Sequence, residues 1–94
     1  DQTLDASILD TIGDEHTTRI INALSGGAKT APALASVTGA SRPTVYRRLG
    51  TLEKAGLVDS TLTIDADGHH KKQYTLAATS LTVDFTNQLA VTAH

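Results

Sequence analysis

One segment, residues 41–57, constrains the fold of this chain more than any other, because it has a marked start, a marked end and one apolar side. Ser41 can cap a helix by accepting a backbone N–H bond, and Gly56 suits the left-handed residue that closes one. An apolar stripe lies between them at the helical spacing i, i+4 and i+7: Val45, Leu49 and Leu52. The sequence therefore predicts a helix from Ser41 to Ala55 that is buried along one side.

The other side of this predicted helix is polar and cationic. Pro43, which fits the first turn, lies opposite the stripe together with Arg47 and Lys54. Cations on a helix are usually no more than solvated surface. The interpretation of these cations therefore depends on the segment that comes before the helix.

A second, shorter helix is predicted just upstream, over residues 30–38. Thr30 can cap it, Leu34 and Val37 are expected on one side, and Gly39 breaks it. A short helix, a turn of three or four residues that contains Gly, and a longer helix form a helix-turn-helix. The second helix of that motif enters the major groove of DNA.

Two further helices are expected before the motif. The first lies within residues 1–13 and ends at Gly13. Its apolar residues follow helical spacing: Leu4, Ile8, Leu9 and Ile12. Asp14 can cap the next helix, and Gly26 and Gly27 end it. We expect this next helix to support the helix-turn-helix.

Downstream of Gly56, two β-prone runs, residues 58–64 and 73–76, flank a turn-forming sequence that begins at Asp65. A hairpin after a helix-turn-helix is a wing, here predicted over residues 65–72. Four polar residues fall at or just after its tip: His69, His70, Lys71 and Lys72. Of these, His70, Lys71 and Lys72 can contact phosphates or a minor groove; the alternative is an ordinary exposed polar tip.

The histidines do not predict a metal site. His69 and His70 are adjacent, so on a strand their side chains point to opposite faces, and no carboxylate–histidine pair on a helix accompanies them. The chain has no cysteine, which rules out thiolate ligands and disulfides. We therefore expect neither a metal nor a cofactor.

The sequence resembles winged helix-turn-helix transcription regulators of the ArsR/MarR-like superfamily over residues 13–76. Four stretches carry the resemblance: Ala33-Leu34-Ala35, Gly39-Ala40-Ser41, Thr44-Val45-Tyr46-Arg47-Arg48-Leu49 and Leu52-Glu53-Lys54-Ala55-Gly56-Leu57-Val58. The resemblance implies a mainly α fold with a small antiparallel β wing. It also implies that a segment outside the winged core makes a homodimer.

Base reading is assigned first to Arg47, because it points away from the apolar stripe and its guanidinium can bridge guanine O6 and N7. Thr44 and Tyr46 flank it and could meet bases or phosphates, although Tyr46 could instead pack against neighbouring helices. Ser41 and Arg42 lie at the helix N-terminus, where backbone N–H groups favour a phosphate.

Arg48 lies on the shoulder of the buried stripe. It can therefore contact DNA or pair with a carboxylate such as Asp10 or Asp14. The predicted DNA-binding set contains ten residues: Ser41, Arg42, Pro43, Thr44, Tyr46, Arg47, Arg48, His70, Lys71 and Lys72.

The net charge of −2 is not that of a typical DNA-binding protein, but the charges are unevenly distributed. Residues 1–28 hold five acidic side chains against Arg19, whereas residues 29–58 hold five cations against Glu53. The basic charge is thus concentrated on the predicted helix-turn-helix.

Ninety-four residues suit a single domain, 1–94, with the helix-turn-helix and wing over 14–76. The tail, 77–94, has both strand and helix spacing, and its richness in Thr and Val favours a strand. It is a candidate dimer element; the alternative is a tail folded back on its own domain.

No segment predicts a membrane span or a signal peptide, so a cytoplasmic location is expected. No catalytic constellation is present, and we do not expect an enzyme. The sequence therefore predicts a sequence-specific regulator that binds double-stranded DNA, with residues 41–55 in the major groove. The alternative is a winged-helix module that binds another protein; the sequence does not indicate an effector.

Overall fold

The computed structural model describes all 94 residues and contains four helices and six strands. The helices are α1 (Ile8–Ile12), α2 (Glu15–Leu24), α3 (Ala31–Thr38) and α4 (Arg42–Lys54). The strands are β1 (Gln2–Leu4), β2 (Lys29–Thr30), β3 (Val58–Ile64), β4 (His70–Leu76), β5 (Leu81–Asp84) and β6 (Ala90–Ala93). About 38% of the chain is helical and 29% is strand, so the expectation of a mainly α fold is not confirmed.

The strands form two three-stranded antiparallel sheets. In the first, with order β2-β4-β3, the hairpin β3–β4 is the predicted wing, and β2 adds a short strand that the sequence did not predict. In the second, with order β1-β6-β5, the N-terminal strand pairs with the C-terminal hairpin. We call this second sheet the terminal sheet.

One apolar core joins the helices to both sheets. The predicted stripe of α4 is fully buried: Val45, Leu49 and Leu52 are at most 1% exposed. Ile20 of α2 and Leu34 of α3 pack in the same cluster, as do Val58 of the wing and Val91 of the terminal sheet. The core therefore holds α4 firmly along one side, as the helical spacing predicts.

The start signals of the helices act as predicted. The side chains of Asp14, Thr30 and Ser41 each accept a hydrogen bond from the backbone N–H three residues later, at 3.0–3.3 Å. Gly39 and Gly56 end α3 and α4 in the left-handed region, with φ of 75° and 77°. The helix-turn-helix is thus confirmed in its geometry.

The prediction of a helix over residues 1–13 is wrong in its first part. Gln2–Leu4 form β1, and α1 begins only at Ile8. Leu4 is four residues before Ile8, which fits a helix, but its side chain also fits the inward side of a strand. Because Leu4 pairs with Val91 of β6, this segment forms a strand and not a helix.

The C-terminal segment is a hairpin, β5–β6, as its composition favours. The wing tip differs from the predicted range 65–72, because His70, Lys71 and Lys72 already belong to β4. No helix is long and apolar enough to span a membrane.

Candidate nucleic-acid interface

The outward side of α4 carries two free guanidinium groups. Arg42 and Arg47 are exposed, and neither has a carboxylate within 4.0 Å. Pro43, between them, is also exposed. An unpaired guanidinium can donate two parallel N–H hydrogen bonds to an acceptor outside the molecule.

The N-terminus of α4 is held in a regular capped geometry. The Ser41 hydroxyl accepts the Thr44 backbone N–H at 3.3 Å and lies 3.0 Å from the Thr44 hydroxyl, within hydrogen-bond distance. Ser41 is exposed and Thr44 is half-buried, so both remain near the surface where Arg42 begins the helix. The cap orients the first turn without engaging either arginine.

Of the two contacts expected for Arg48, DNA or a carboxylate, the structure shows the carboxylate contact. The Arg48 Nε and Nη2 donate to the two carboxylate oxygens of Asp14, at 3.0 and 3.2 Å. Asp14 also caps α2, so this bidentate pair ties α4 to the start of α2. The assignment of Arg48 to DNA is not supported by this geometry, because its fork is occupied; Arg48 is a positioning residue.

Replacing Asp14 with alanine is expected to lower the thermal stability at neutral pH, because both the α2 cap and the Arg48 contact are lost. The backbone N–H of Thr17 is the main cause that lowers the pKa of Asp14, and Arg48 lowers it further, whereas desolvation opposes them. Because the pKa of Asp14 is lower in the folded state than in the unfolded state, its carboxylate stabilises the fold at pH values above the unfolded pKa. This contribution is lost as the pH falls through the folded pKa.

The Tm difference between wild type and Asp14→Ala should therefore be largest near pH 7 and should shrink below about pH 4. Thermal melts followed by circular dichroism at several pH values would measure it. A difference independent of pH would show that the Asp14 charge does not contribute.

Next to α4 lies a polar cleft between this helix and the wing. Its lining consists of Thr30, Pro32, Tyr46, His70 and Lys71. Tyr46 is 52% exposed, so the packing alternative applies only to part of its side chain. The cleft brings residues of the start of α3, of α4 and of β4 together; the sequence did not predict a role for Thr30 or Pro32 at this surface.

The wing cations are only loosely paired. Lys71 Nζ lies 3.7 Å from Asp65, and Lys72 Nζ lies 3.9 Å from Glu53 and 5.5 Å from the Tyr74 ring centroid. Both lysine side chains are about half exposed, at 54% and 51%. Contacts of this length at the surface contribute little, so both ammonium groups can exchange them for a phosphate.

Asp65 shapes the wing tip. Its carboxylate accepts the backbone N–H groups of His69 and Asp67, both at 2.9 Å, and these bonds, His69 first, lower its pKa together with nearby Lys71 against an opposing desolvation. Potential ligand atoms of Asp65, Asp67 and His69 lie within 4.8 Å of one another. The hydrogen bonds of the turn account for this cluster.

Gly50 lies on the exposed side of α4, and a Cβ at this position would meet no atom within 4 Å. Because glycine lowers helix stability relative to alanine, Gly50→Ala is expected to raise the free energy of unfolding by about 0.5–1 kcal/mol. Urea denaturation would measure it. Gly56→Ala is the control and should destabilise, since its φ is 77°; equal effects would contradict the argument.

A family model described as a helix-turn-helix domain matches residues 12–61, more than half of the chain. Three solved structures have similar folds. The first is the transcriptional repressor BigR from Xylella fastidiosa, with 24% identity and a TM-score of 0.63, over 76% of this chain and 67% of that one.

The second is the homodimeric winged helix-turn-helix DNA-binding domain of Mb0332 from Mycobacterium bovis, a possible ArsR-family transcriptional regulator. It has 22% identity and a TM-score of 0.61, over 77% of this chain and 62% of that one. HlyU from Vibrio cholerae has 24% identity and a TM-score of 0.61, over 77% and 73%.

No curated protein matches the chain. The family model and the three structures confirm the resemblance to winged helix-turn-helix proteins that the sequence predicts.

Proposed function

The chain belongs to the helix-turn-helix domain family, and on this premise we propose that it is a sequence-specific transcription regulator that binds double-stranded DNA. In the proposed complex, α4 lies in the major groove and the wing contacts the backbone or the minor groove. The protein acts in the cytoplasm and has no catalytic role. Its fold resembles that of proteins described as a transcriptional repressor and as a DNA-binding domain.

The observation that carries this proposal is the free cationic side of α4. Arg42 and Arg47 are exposed and have no carboxylate partner, while the opposite side of the same helix is buried in the core. A rigid helix with unpaired guanidinium groups is suited to base edges and phosphates. If the outward side of α4 served only to contact the rest of the chain, the guanidinium groups of Arg42 and Arg47 would be paired with carboxylates of the chain.

The proposed roles follow from position. Arg47 reads a base, and Thr44 and Tyr46 contact bases or phosphates beside it. Ser41, Arg42 and Pro43 form the end of the helix that approaches a phosphate. The wing residues His70, Lys71 and Lys72 contact the backbone or the minor groove.

Lys71→Ala is expected to weaken binding to all duplexes by a similar factor and to reduce the slope of log K against log salt by about 1, because one phosphate contact is lost. Titrations at four or more salt concentrations with specific and unrelated duplexes would measure both effects. A loss restricted to one sequence would contradict the backbone role.

We propose further that the regulator is a homodimer that recognises a palindromic or repeated site with half-sites about one helical turn apart. The similar Mb0332 domain is described as homodimeric. No observation favours a particular effector, and none is proposed.

The test is selection of bound sequences from a random duplex pool, with wild type and Arg47→Ala in parallel. A motif with two related halves supports a dimeric regulator. Weak binding without sequence preference, unchanged by Arg47→Ala, would overturn the proposal in favour of a protein-interaction module.

A further inference from the structure

The terminal sheet has an open edge. Its order, β1-β6-β5, places β5 at one side with no neighbouring strand. Natural edge strands usually carry Lys, Pro or a bulge that prevents pairing with another chain. β5 reads Leu-Thr-Val-Asp and has neither Lys nor Pro. The other edge, β1, is only three residues long and lies between Asp1 and Asp5.

The backbone groups along this edge are available at regular intervals. The His94 N–H donates to the Ser80 carbonyl at 3.0 Å, which sets the alternation of the β5–β6 ladder. Residues 80, 82 and 84 therefore direct their N–H and C=O groups towards β6. Leu81 and Val83 direct theirs outward, and no turn or loop hydrogen bond uses them. Phe85 is the first residue after β5.

Leu81 and Val83 also share the apolar face of the hairpin, where they are half-buried against the core. Phe85 follows β5 directly, at the start of the loop to β6. Phe85 is 77% exposed, the largest exposure among the large apolar side chains of the chain. Between residues 77 and 93 the only charged side chain is Asp84. The surface thus offers nothing to an oppositely charged partner and suits a second copy of itself.

We propose that two copies of the chain pair antiparallel through β5, with Val83 facing Val83 of the second copy on a two-fold axis. The two terminal sheets then form one continuous sheet of six strands. This inference rests on the proposed homodimer and assigns its interface.

The proposed register is the one that gives Leu81, Val83 and Phe85 each an apolar partner, with the pairing extended one residue beyond β5. Leu81 then pairs with Phe85 of the second copy, and the reverse pair forms by symmetry. A shift by two residues in one direction leaves Phe85 without an apolar partner, since it then faces Thr79. A shift in the other direction places Asp84 opposite Asp84 of the second copy, and like charges that face each other are destabilising.

The register also covers the exposed phenylalanine. Leu81 lines an apolar cleft together with Ile12, Ile21 and Leu76. Pairing places Phe85 of the second copy beside Leu81, at the margin of this cleft. Apolar area that is exposed in one chain is thereby buried against the other.

The first test is analytical ultracentrifugation of wild type, Phe85→Asp and Leu62→Asp. Leu62 is the matched control, because it is 64% exposed and lies on the edge strand β3. Phe85→Asp is expected to raise the dimer dissociation constant by about tenfold or more, whereas Leu62→Asp should leave it unchanged. Unfolding of Phe85→Asp is not expected, since the side chain contacts little.

The second test exploits the absence of cysteine from the chain. Leu81→Cys mixed with Phe85→Cys should react readily with a short thiol crosslinker, because their Cβ atoms would lie about 5 Å apart across the two strands. Either variant alone should crosslink poorly, since its two copies would be about 14 Å apart. Val83→Cys alone should crosslink well.

If wild type and Phe85→Asp dimerised equally well, the proposed interface would be overturned. It would also be overturned if Leu81→Cys or Phe85→Cys alone crosslinked as well as the mixture of the two. Binding of Phe85→Asp to a duplex with one half-site separates the two proposals. If that binding persists while the dimer is lost, the regulator proposal and the interface both stand. If wild type binds DNA but remains monomeric at all concentrations, the interface fails while DNA binding stands.

Discussion

Arg47→Ala is expected to weaken binding to the selected duplex by roughly 5- to 150-fold, or about 1–3 kcal/mol, and to relax the motif at one base position. The guanidinium is exposed and unpaired, so its removal deletes the proposed contact to DNA without disturbing the fold. Fluorescence anisotropy with duplexes that carry each base at that position would measure the affinity and the discrimination.

Arg47→Lys is the matched control. Lysine keeps the charge but lacks the planar fork, so the variant should retain the salt dependence and lose most of the base discrimination. If Arg47→Ala selected the same motif with the same affinity as wild type, Arg47 would not read a base, and the proposed orientation of α4 would be wrong.

Leu34→Ala is expected to lower the free energy of unfolding by about 2–5 kcal/mol, because Leu34 is fully buried and its loss leaves a cavity. Domains of this size are stable by only about 5–15 kcal/mol, so a large part of the molecules should unfold at elevated temperature. Val37→Ala, on the same helix, should change the value by less than about 0.5 kcal/mol, since Val37 is 63% exposed.

Urea denaturation of the two variants would test this pair directly. Similar losses for both would mean that α3 is rotated about its axis relative to the structure. A loss for Val37→Ala alone would show that the side of α3 predicted from its apolar residues faces the core.

The comparison of Leu34 with Val37 also shows where prediction from sequence failed. Both residues are apolar and three apart, so the sequence placed them on one buried side. In the structure Thr38 takes the buried position instead. Its hydroxyl donates to the Leu34 carbonyl at 2.6 Å and accepts the Ala40 N–H at 3.3 Å, so a buried polar group is satisfied locally.

Arg47 and Arg48 of α4 show both what the sequence could predict and what it could not. The outward position of Arg47 was predictable, because a helix with a buried stripe has a defined opposite side. For Arg48, the sequence allowed a contact with DNA or with a carboxylate. In the structure its partner is Asp14, which is 34 residues earlier in the chain.

The sequence alone determined the helix-turn-helix, its boundaries and the cationic side of its second helix, because caps, glycines and helical spacing act over a few neighbouring residues. The tertiary structure decided which side of α3 is buried, which partner Arg48 has, and that residues 2–4 and 90–93 share a sheet. These outcomes depend on contacts between residues that are far apart in the chain. The local sequence around either residue does not show which distant residue it will contact.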